Sequence, residues 1–477
     1  MIILIGCDFA PAETKNKDLP NILFLFADDY TFDAIHALGN DVIETPNLDR
    51  LVRNGTNFSQ AFNMGGWNGA VCIASRSMII TGQTIWDAKA LTDEWAKNKR
   101  QNETSHSWGK LMEKKGYQTY ITGKWHVPID PKKIFQTVRN IRPGMPKDFW
   151  NSGGKKGYDR PKEGKKDWWS PSDSLNGGFW EGGKHWSEVI NDDALDFLKI
   201  SSQNEAPFFM YLAFNAPHDP RQSPQSFLDR YPLEKIPLPE NWLPEYPFKD
   251  AIGNSETLRD EALAPYPRTP YAIKTHIREY YAIITHLDEQ IGKILKALEA
   301  SGRADNTYIF FTGDHGLSVG KHGLLGKQSL FDHSIRVPLL ITGPDIPKNK
   351  TIEHEIYLQD IMASSLELAE IPKPKSVAFK SFLSLIKGKE KKLLYPEGIY
   401  GAYMDSQRMI RKDGYKLIIY PKIKKILLFD LKNDPLEQHD ISDKIRHRNT
   451  VKNLFQNLLL LQRKHNDSLD LSGILAP

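Results

Sequence analysis

The stretch Asn21–Ala27, Asn-Ile-Leu-Phe-Leu-Phe-Ala, runs directly into the acidic pair Asp28-Asp29. Apart from its first residue the run is apolar on both faces of a pleat, and it is too short for a core helix. That pattern predicts a strand buried on both sides, as in a parallel sheet. Working outward, residues 117–122, 207–214, 307–312 and 337–342 read the same way. Helical patterns lie between them. Residues 45–55 offer a Thr cap, Pro at the first helical position and Gly at the end. From about residue 273 to 298, Tyr281, Ile284, Leu287, Ile291, Leu295 and Leu298 recur three or four apart, marking one face of a long helix. Strands alternating with helices predict an α/β fold with a mostly parallel central sheet covered by helices on both faces.

That sheet is expected to span a domain of about residues 19–385. Beyond it, residues 398–404, 409–412, 415–420 and 426–431 read as short strands joined by polar turns, followed by a helix near 450–465 carrying Leu454, Leu458 and Leu461. Residues 386–477 therefore read as a smaller C-terminal subdomain with an antiparallel sheet and a helix. Hydrophobic residues at 40%, with 22 Phe, 18 Tyr and 11 Trp, suffice to fill a large core and exclude a disordered chain. A net charge of +4, from 63 basic and 59 acidic residues, is too small to mark a nucleic-acid binder, so an anionic partner must be held locally. Two cysteines cannot build a disulfide framework, and no apolar run approaches the ~20 residues of a membrane span. Residues 1–18 read as a leader: Leu4-Ile5-Gly6-Cys7 looks like a bacterial lipobox followed by a polar tether, though an ordinary apolar N-terminus fits as well. A lipobox implies export to the periplasm or cell surface with a lipid anchor at Cys7.

Open parallel sheets bind ligands at the carboxyl ends of their strands. Here those ends carry Asp28-Asp29, Gly123-Lys124-Trp125-His126, Asn215-Ala216-Pro217-His218 and Gly313-Asp314-His315-Gly316. Three carboxylates brought together repel one another unless a cation sits among them. Oxygen-rich sets suit hard ions, so Asp28, Asp29, Asp314 and His315 form a candidate Ca²⁺ or Mg²⁺ site. The competing readings are a helix cap at Asp28-Asp29 and a loop-tip turn at Asp314-His315-Gly316. Residues 69–82 supply Cys72 at the start of a predicted helix, an anion-attracting position. A thiol ligates hard cations poorly, and alone Cys72 reads as a buried, inert cysteine.

Taken together these strings resemble the type I, formylglycine-dependent sulfatases of the alkaline phosphatase superfamily. Cys72-Ile73-Ala74-Ser75-Arg76 resembles their maturation motif, Cys-x-Pro/Ala-x-Arg, in which the cysteine is oxidised to formylglycine. Pro-Asn-Ile-Leu-Phe-Leu-Phe-Ala-Asp-Asp, Thr-Gly-Lys-Trp-His, Ala-Pro-His-Asp-Pro, Gly-Asp-His-Gly and Leu-Gly-Lys-Gln-Ser-Leu-Phe-Asp-His-Ser follow in the family's order, and the likeness extends into the C-terminal subdomain. It is most similar to bacterial enzymes that desulfate marine polysaccharides such as ulvan and carrageenan. Ala74 stands where Pro is commoner, which leaves the maturation enzyme open.

The resemblance implies that position 72, as an aldehyde hydrate, joins Asp28, Asp29, Asp314 and His315 on one Ca²⁺, attacks sulfur through one hydroxyl and releases sulfate through the other. It further implies His218 as the acid that protonates the leaving oxygen, His126 as the group assisting elimination, Lys124 and Lys327 as sulfate-gripping cations, and Arg76 as the residue holding the hydrate. Residues 143–186 carry Trp150, Trp168, Trp169, Trp180 and Trp186 among many Gly and Lys. These tryptophans either stack on sugars, with Lys155, Lys156, Lys165 and Lys166 meeting further anions, or pack as a lid. Asp219, Arg221 and Trp67 are candidate substrate contacts, Arg221 for a sugar carboxylate or second sulfate, with a structural ion pair as its alternative. A phosphodiester or phosphonate monoester hydrolase of the same superfamily is the nearest rival. A catalytically silent sugar-binding relative is a reading of another class.

Overall fold

The computed structural model describes residues 19–144, 157–174, 179–219, 221–388 and 392–475. Its main sheet contains, in chain order, β1 (Asn21–Ala27), β2 (Thr56–Phe58), β3 (Gln118–Lys124), β4 (Thr137–Arg142), β5 (Phe208–Ala213), β6 (Thr307–Gly313), β7 (Leu339–Thr342) and β8 (Lys350–Ile352), arranged across the sheet as β8-β2-β7-β6-β1-β5-β3-β4. β1 is central and parallel to both neighbours, with Ala27 opposite Gly313 and Phe26 opposite Ala213. Its residues are buried throughout, because alternate side chains feed two separate cores: Leu23 and Leu25 into one, Ile22, Phe24 and Phe26 into the other. The predicted 337–342 strand is instead two pieces, Arg336–Val337 and β7, and β7 runs antiparallel to β6 and β2. Pro338 sits at the break, where it has no N–H to give to a ladder.

The helix α1 (Pro46–Asn54) has Thr45 at its N-cap, but the Thr45 side chain does not cap it. Its hydroxyl accepts from the His36 N–H and donates to Asp49 Oδ1, tying the helix to the preceding turn instead. The helices α2 (Val71–Thr81), α3 (Trp186–Ser201) and α4 (Pro270–Ala300) follow. On α4, Ile284, Leu287, Ile291, Leu295 and Leu298 are buried in the first core and Tyr281 packs against it, as the spacing predicts. Among the tryptophans of the 143–186 segment, Trp169 and Trp186 are buried in that same core, whereas Trp168 is 75% exposed with Lys166 Nζ 4.3 Å from its ring centre. Trp150, Lys155, Lys156 and Cys7 lie outside the described residues.

The C-terminal antiparallel strands β9 (Ile399–Tyr403), β10 (Gln407–Lys412), β11 (Tyr415–Tyr420) and β12 (Lys425–Asp430) are backed by α5 (Arg448–Lys464). A fifth strand comes from far upstream: Gly65–Gly66 pairs in parallel with Ala402 and Tyr403. This two-residue link fixes the approach to α2 against the C-terminal sheet. Gly65 has φ +92, and a side chain there would meet the Ala402 carbonyl, so glycine is needed for the close approach.

One buried carboxyl gives the stability a pH dependence. Asp360 accepts from the Tyr357 and Lys380 N–H groups and the Tyr395 hydroxyl, yet burial pushes it up from 3.8 to about 7. Between those values the folded chain holds a proton that the unfolded chain has lost, so this group's contribution to stability falls as pH rises from about 4 to about 7, by on the order of 4 kcal/mol. Thermal melts of Asp360→Asn across that range are expected to show a shallower decline than the parent, and an unchanged slope would contradict this reading.

Candidate active site

The strand ends do converge. Past the last β1 pair, the Asp28 N–H donates to the Ala216 carbonyl and the Asp314 N–H to the Ala27 carbonyl, so the ladder carries three segments to one edge before the chains diverge. Asp29 departs in the left-handed region at φ 63, and His126 does the same at φ 55. Such conformations cost free energy in non-glycine residues and persist where surrounding contacts fix them. Between Thr122 and Gly123 the β3–β4 register shifts, with Gly123 at φ +91 where any Cβ would strike the Ala213 carbonyl. Beyond this irregularity the fully buried Lys124 ion-pairs with Asp28 Oδ2.

α2 begins beside this edge, so Cys72, its second residue, is buried near the unpaired N–H groups of a helix start. Its Sγ is 3.2 Å from His126 Nδ1. Arg76, one turn on, donates from Nε to Asp314 Oδ2 at 2.9 Å and from Nη1 to the Lys124 carbonyl at 2.8 Å, while Ser75 Oγ donates to the Asp314 carbonyl at 2.6 Å. One helical turn thereby holds both Cys72 and Asp314 in register. Lys327 Nζ donates to Asp29 Oδ1 at 2.7 Å, and His315 Nε2 stands 3.4 Å from the same oxygen.

Ligand atoms of Asp28, Cys72, Asp314 and His315 all lie within 4.8 Å of one another, and a second such group is Asp28, Asp29 and His218. Asp28 Oδ1, Asp29 Oδ2 and His315 Nε2 are buried without a hydrogen bond. Orphaned carboxylate oxygens such as Asp28 Oδ1 and Asp29 Oδ2 are costly unless something positive meets them. The donor set of carboxylates with one imidazole fits a hard divalent cation. Burial first, then the neighbouring Asp314, pushes the Asp28 carboxyl well up, with Lys124 opposing. Burial works against a proton on His315, yet Asp314 holds that proton up to about 9; a cation bound there would take its place. Burial would also raise the Cys72 thiol, but Lys124 and His126 bring it well below its usual value.

His218 is buried beside this group. Its Nδ1 donates to the Asp219 carbonyl at 2.6 Å, which leaves Nε2 as an acceptor in the neutral ring, 3.9 Å from Asp29 Oδ2. Burial, with Lys327, Lys124 and Arg259 around it, holds its pKa well below the ordinary histidine value. The Asp219 carboxylate is taken up within the protein, 3.3 Å from His218 Nδ1 and 2.7 Å from Arg259 Nη1. Arg221 is 3% exposed, with Nη1 3.2 Å from His276 Nδ1 and its guanidinium over the Tyr280 ring, and no carboxylate pairs with it among the described residues. Trp67 is half-buried against the core that holds the C-terminal sheet. Ten predicted residues are thus brought to one edge: Asp28, Asp29, Cys72, Arg76, Lys124, His126, His218, Asp314, His315 and Lys327. Arg259, Asp260 and Gln328 were not expected. Gln328 Nε2 bridges Asp260 Oδ2 and the Gly69 carbonyl, linking this loop to the start of α2.

The sulfatase family profile matches residues 20–371, which includes every one of these positions. The chain belongs to the sulfatase family. A second profile, that of the N-sulphoglucosamine sulphohydrolase C-terminal region, matches residues 320–464 of this sulfatase. Among curated relatives, the sulfatase is 26% identical to an N-acetylglucosamine-6-O-sulfatase of Bacteroides thetaiotaomicron, over 96% of this chain and 88% of the relative. It is 27% identical to an ulvan-active sulfatase of Formosa agariphila, over 80% of this chain and 69% of the relative. Its fold is shared with a solved protein in complex with its substrate D-glucosamine-2-N,6-O-disulfate, at TM-score 0.74 and 23% identity over 94% of this chain and 99% of that one. A phosphonate monoester hydrolase of Agrobacterium radiobacter shares it too, at TM-score 0.72 and 19% identity over 94% of this chain and 96% of that one. No helix of the described residues is long and apolar enough to cross a membrane.

Proposed function

We propose that this sulfatase hydrolyses sulfate esters of a carbohydrate, of the kind found in marine algal polysaccharides and their oligosaccharides, with position 72 matured from cysteine to formylglycine and one Ca²⁺ beside it. The observation that carries the reading is the single cluster of Asp28, Cys72, Asp314 and His315, with His126 against the sulfur and a lysine on each N-terminal aspartate. Asp28, Asp29, Asp314, His315 and position 72 would hold the cation, which supplies positive charge to the sulfate oxygens. An aldehyde hydrate supplies an oxygen nucleophile and a second hydroxyl through which sulfate is released.

The chain's own groups do the rest. Three carboxylates face three cations, Lys124, Lys327 and Arg76, so a divalent cation brought in with a sulfate anion leaves the site close to balance. Lys124 and Lys327 are fully buried and so meet sulfate oxygens as charge-assisted donors in a dry site. Arg76 keeps Asp314 and the start of α2 in place. His126 Nδ1, 3.2 Å from Cys72 Sγ, is placed to take a proton from a group built on that side chain. His218 serves as the acid for the leaving sugar oxygen once its Nε2 carries a proton; the surrounding cations disfavour that charge in the free site, and the anionic ester offsets them. His218→Ala is expected to lose roughly 10²–10⁴ in rate on a sugar sulfate and far less on an aryl sulfate, whose oxygen leaves without help. Equal losses on both would remove His218 from this role.

The reading implies a maturation enzyme as partner for Cys72. It also favours an exported protein, lipid-anchored at Cys7, because a polymeric substrate lies outside the cell. The rival is a phosphonate or phosphate-ester hydrolase on the same fold. Turnover of a sulfate ester against the matching phosphate ester decides between them: the sulfate is expected to be preferred, and preference for the phosphorus ester would overturn the proposal.

A further inference from the structure

Lys327 reaches Asp29 from residues 324–331, which form neither strand nor helix. A long cation on such a loop stays in one place only where neighbouring groups fix the loop's own backbone. Here Glu261 Oε1 accepts from the Gly326 N–H at 3.0 Å, and Gln328 Oε1 accepts from the Lys327 N–H at 3.0 Å. The far side of the loop is met by the C-terminal subdomain. Gln407, the first residue of β10, is fully buried; its Nε2 donates to the Gln328 carbonyl at 2.9 Å and its Oε1 accepts from the Leu330 N–H at 3.2 Å. One planar amide thus brackets residues 328–330 with a donor and an acceptor, and it also donates to the Ile252 carbonyl at 3.2 Å. Lys416 of β11 donates to the Leu330 carbonyl at 3.1 Å and is itself held by Asp332 and Glu437.

Gln407 also stands where the C-terminal sheet touches the other half of the site. Across β9 and β10 it pairs with Tyr403, and Tyr403 pairs with Gly66, on the chain leading into α2 and Cys72. Residues 404–406 close a tight hairpin between the two, with the Met404 N–H donating to the Gly66 carbonyl at 2.9 Å. The end of this hairpin therefore reaches from the approach to the nucleophile to the loop of Lys327. The main sheet cannot set that spacing, because β6 ends at Gly313, well before the lysine. We propose that Gln407 is a positioning residue of the sulfatase: it keeps the Lys327 ammonium where a sulfate oxygen meets it, and so makes the C-terminal subdomain part of the active site. The inference rests on the reading of Lys327 as a cation that grips sulfate.

The test uses the matured full-length protein with Gln407→Met, which keeps the volume and loses all three bonds, placed in the parent and in a Lys327→Ala background. Two quantities are read: kcat/KM on an aryl sulfate and the inhibition constant of inorganic sulfate, which does not depend on how much of a variant folds or matures. Small misplacements of a site group cost up to ~10²-fold, so in the parent background Gln407→Met is expected to lower kcat/KM by roughly 10–100-fold and to raise the inhibition constant about tenfold. With Lys327 already removed, the same substitution should change either quantity by less than about 3-fold, because no ammonium is left to misplace. Gln407→Glu, which as a carboxylate still accepts from Leu330 but gives nothing to the Gln328 carbonyl, should shift both the same way. Tyr400→Phe removes the hydroxyl that donates to Asp467 elsewhere in the same sheet; it should lower the melting temperature and leave the inhibition constant alone. Equal losses in both backgrounds, an inhibition constant untouched by Gln407→Met, or one raised as much by Tyr400→Phe would overturn the Gln407 role alone. Parent-like behaviour of Lys327→Ala would remove Lys327 from sulfate binding, and absence of turnover on any sulfate ester would sink the sulfatase reading; either result takes the inference with it.

Discussion

Cys72→Ser is expected to release at most one equivalent of alcohol from a sulfate ester and then stop. The serine hydroxyl would stand where Cys72 Sγ does, beside His126 and the Asp28–Asp314–His315 group, so attack on sulfur has its partners. A serine so sulfated has no second oxygen on the same carbon, and His126 then has no proton to remove that would expel sulfate. Steady-state turnover should fall on the order of 10⁵–10⁶-fold, as for loss of a nucleophile elsewhere, while an intact-protein mass shows one added sulfo group. Arg76, Asp314 and Lys124 are untouched by the change, so the melting temperature should stay near that of the unmatured parent. Continued turnover by the serine protein would show that an ordinary hydroxyl suffices and that the site works by another chemistry.

Removal of divalent cations should have the next largest effect. Asp28, Asp29 and Asp314 are buried together, and three lysine and arginine partners offset them without satisfying Asp28 Oδ1 or Asp29 Oδ2. A chelator is expected to abolish sulfate release, since charge stabilisation by a metal is worth several kcal/mol, or on the order of 10³-fold in rate. It should also lower the melting temperature, because an ion at 100 times its dissociation constant adds about 2.7 kcal/mol. Both effects should reverse with Ca²⁺. Uptake should weaken as pH falls below about 9, where a proton on His315 competes for the ligand nitrogen. Full activity after exhaustive chelation would contradict the assignment of these residues to a metal.

Much of this was legible in the sequence because strand ends in a parallel sheet carry their polar residues immediately after an apolar run. Asp28-Asp29, Lys124, His218 and Asp314-His315 all announce themselves that way, and the helix read from Cys72 to Thr81 places the thiol at its start, one residue after the observed start at Val71. What stayed hidden depends on long-range pairing. Gly65–Gly66 joins a sheet formed more than three hundred residues later, and two glycines carry no periodicity to reveal it. Arg259 and Asp260 lie in a segment without strand or helix pattern, so only the folded chain shows them beside His218. Arg221 directed attention to the right neighbourhood. Its own side chain turns into the core against Tyr280 while Arg259 takes the partly exposed position. The antiparallel run of β7 was likewise masked, since a buried edge-side strand reads the same in either direction.

The most direct test of the central claim is the mass of the peptide containing residue 72, taken from protein produced with a formylglycine-generating maturation system and paired with sulfate release by that same preparation. The account predicts the aldehyde in place of the thiol, with activity rising in proportion to the converted fraction. Sulfate release at full rate from protein whose Cys72 is wholly unmodified would contradict it.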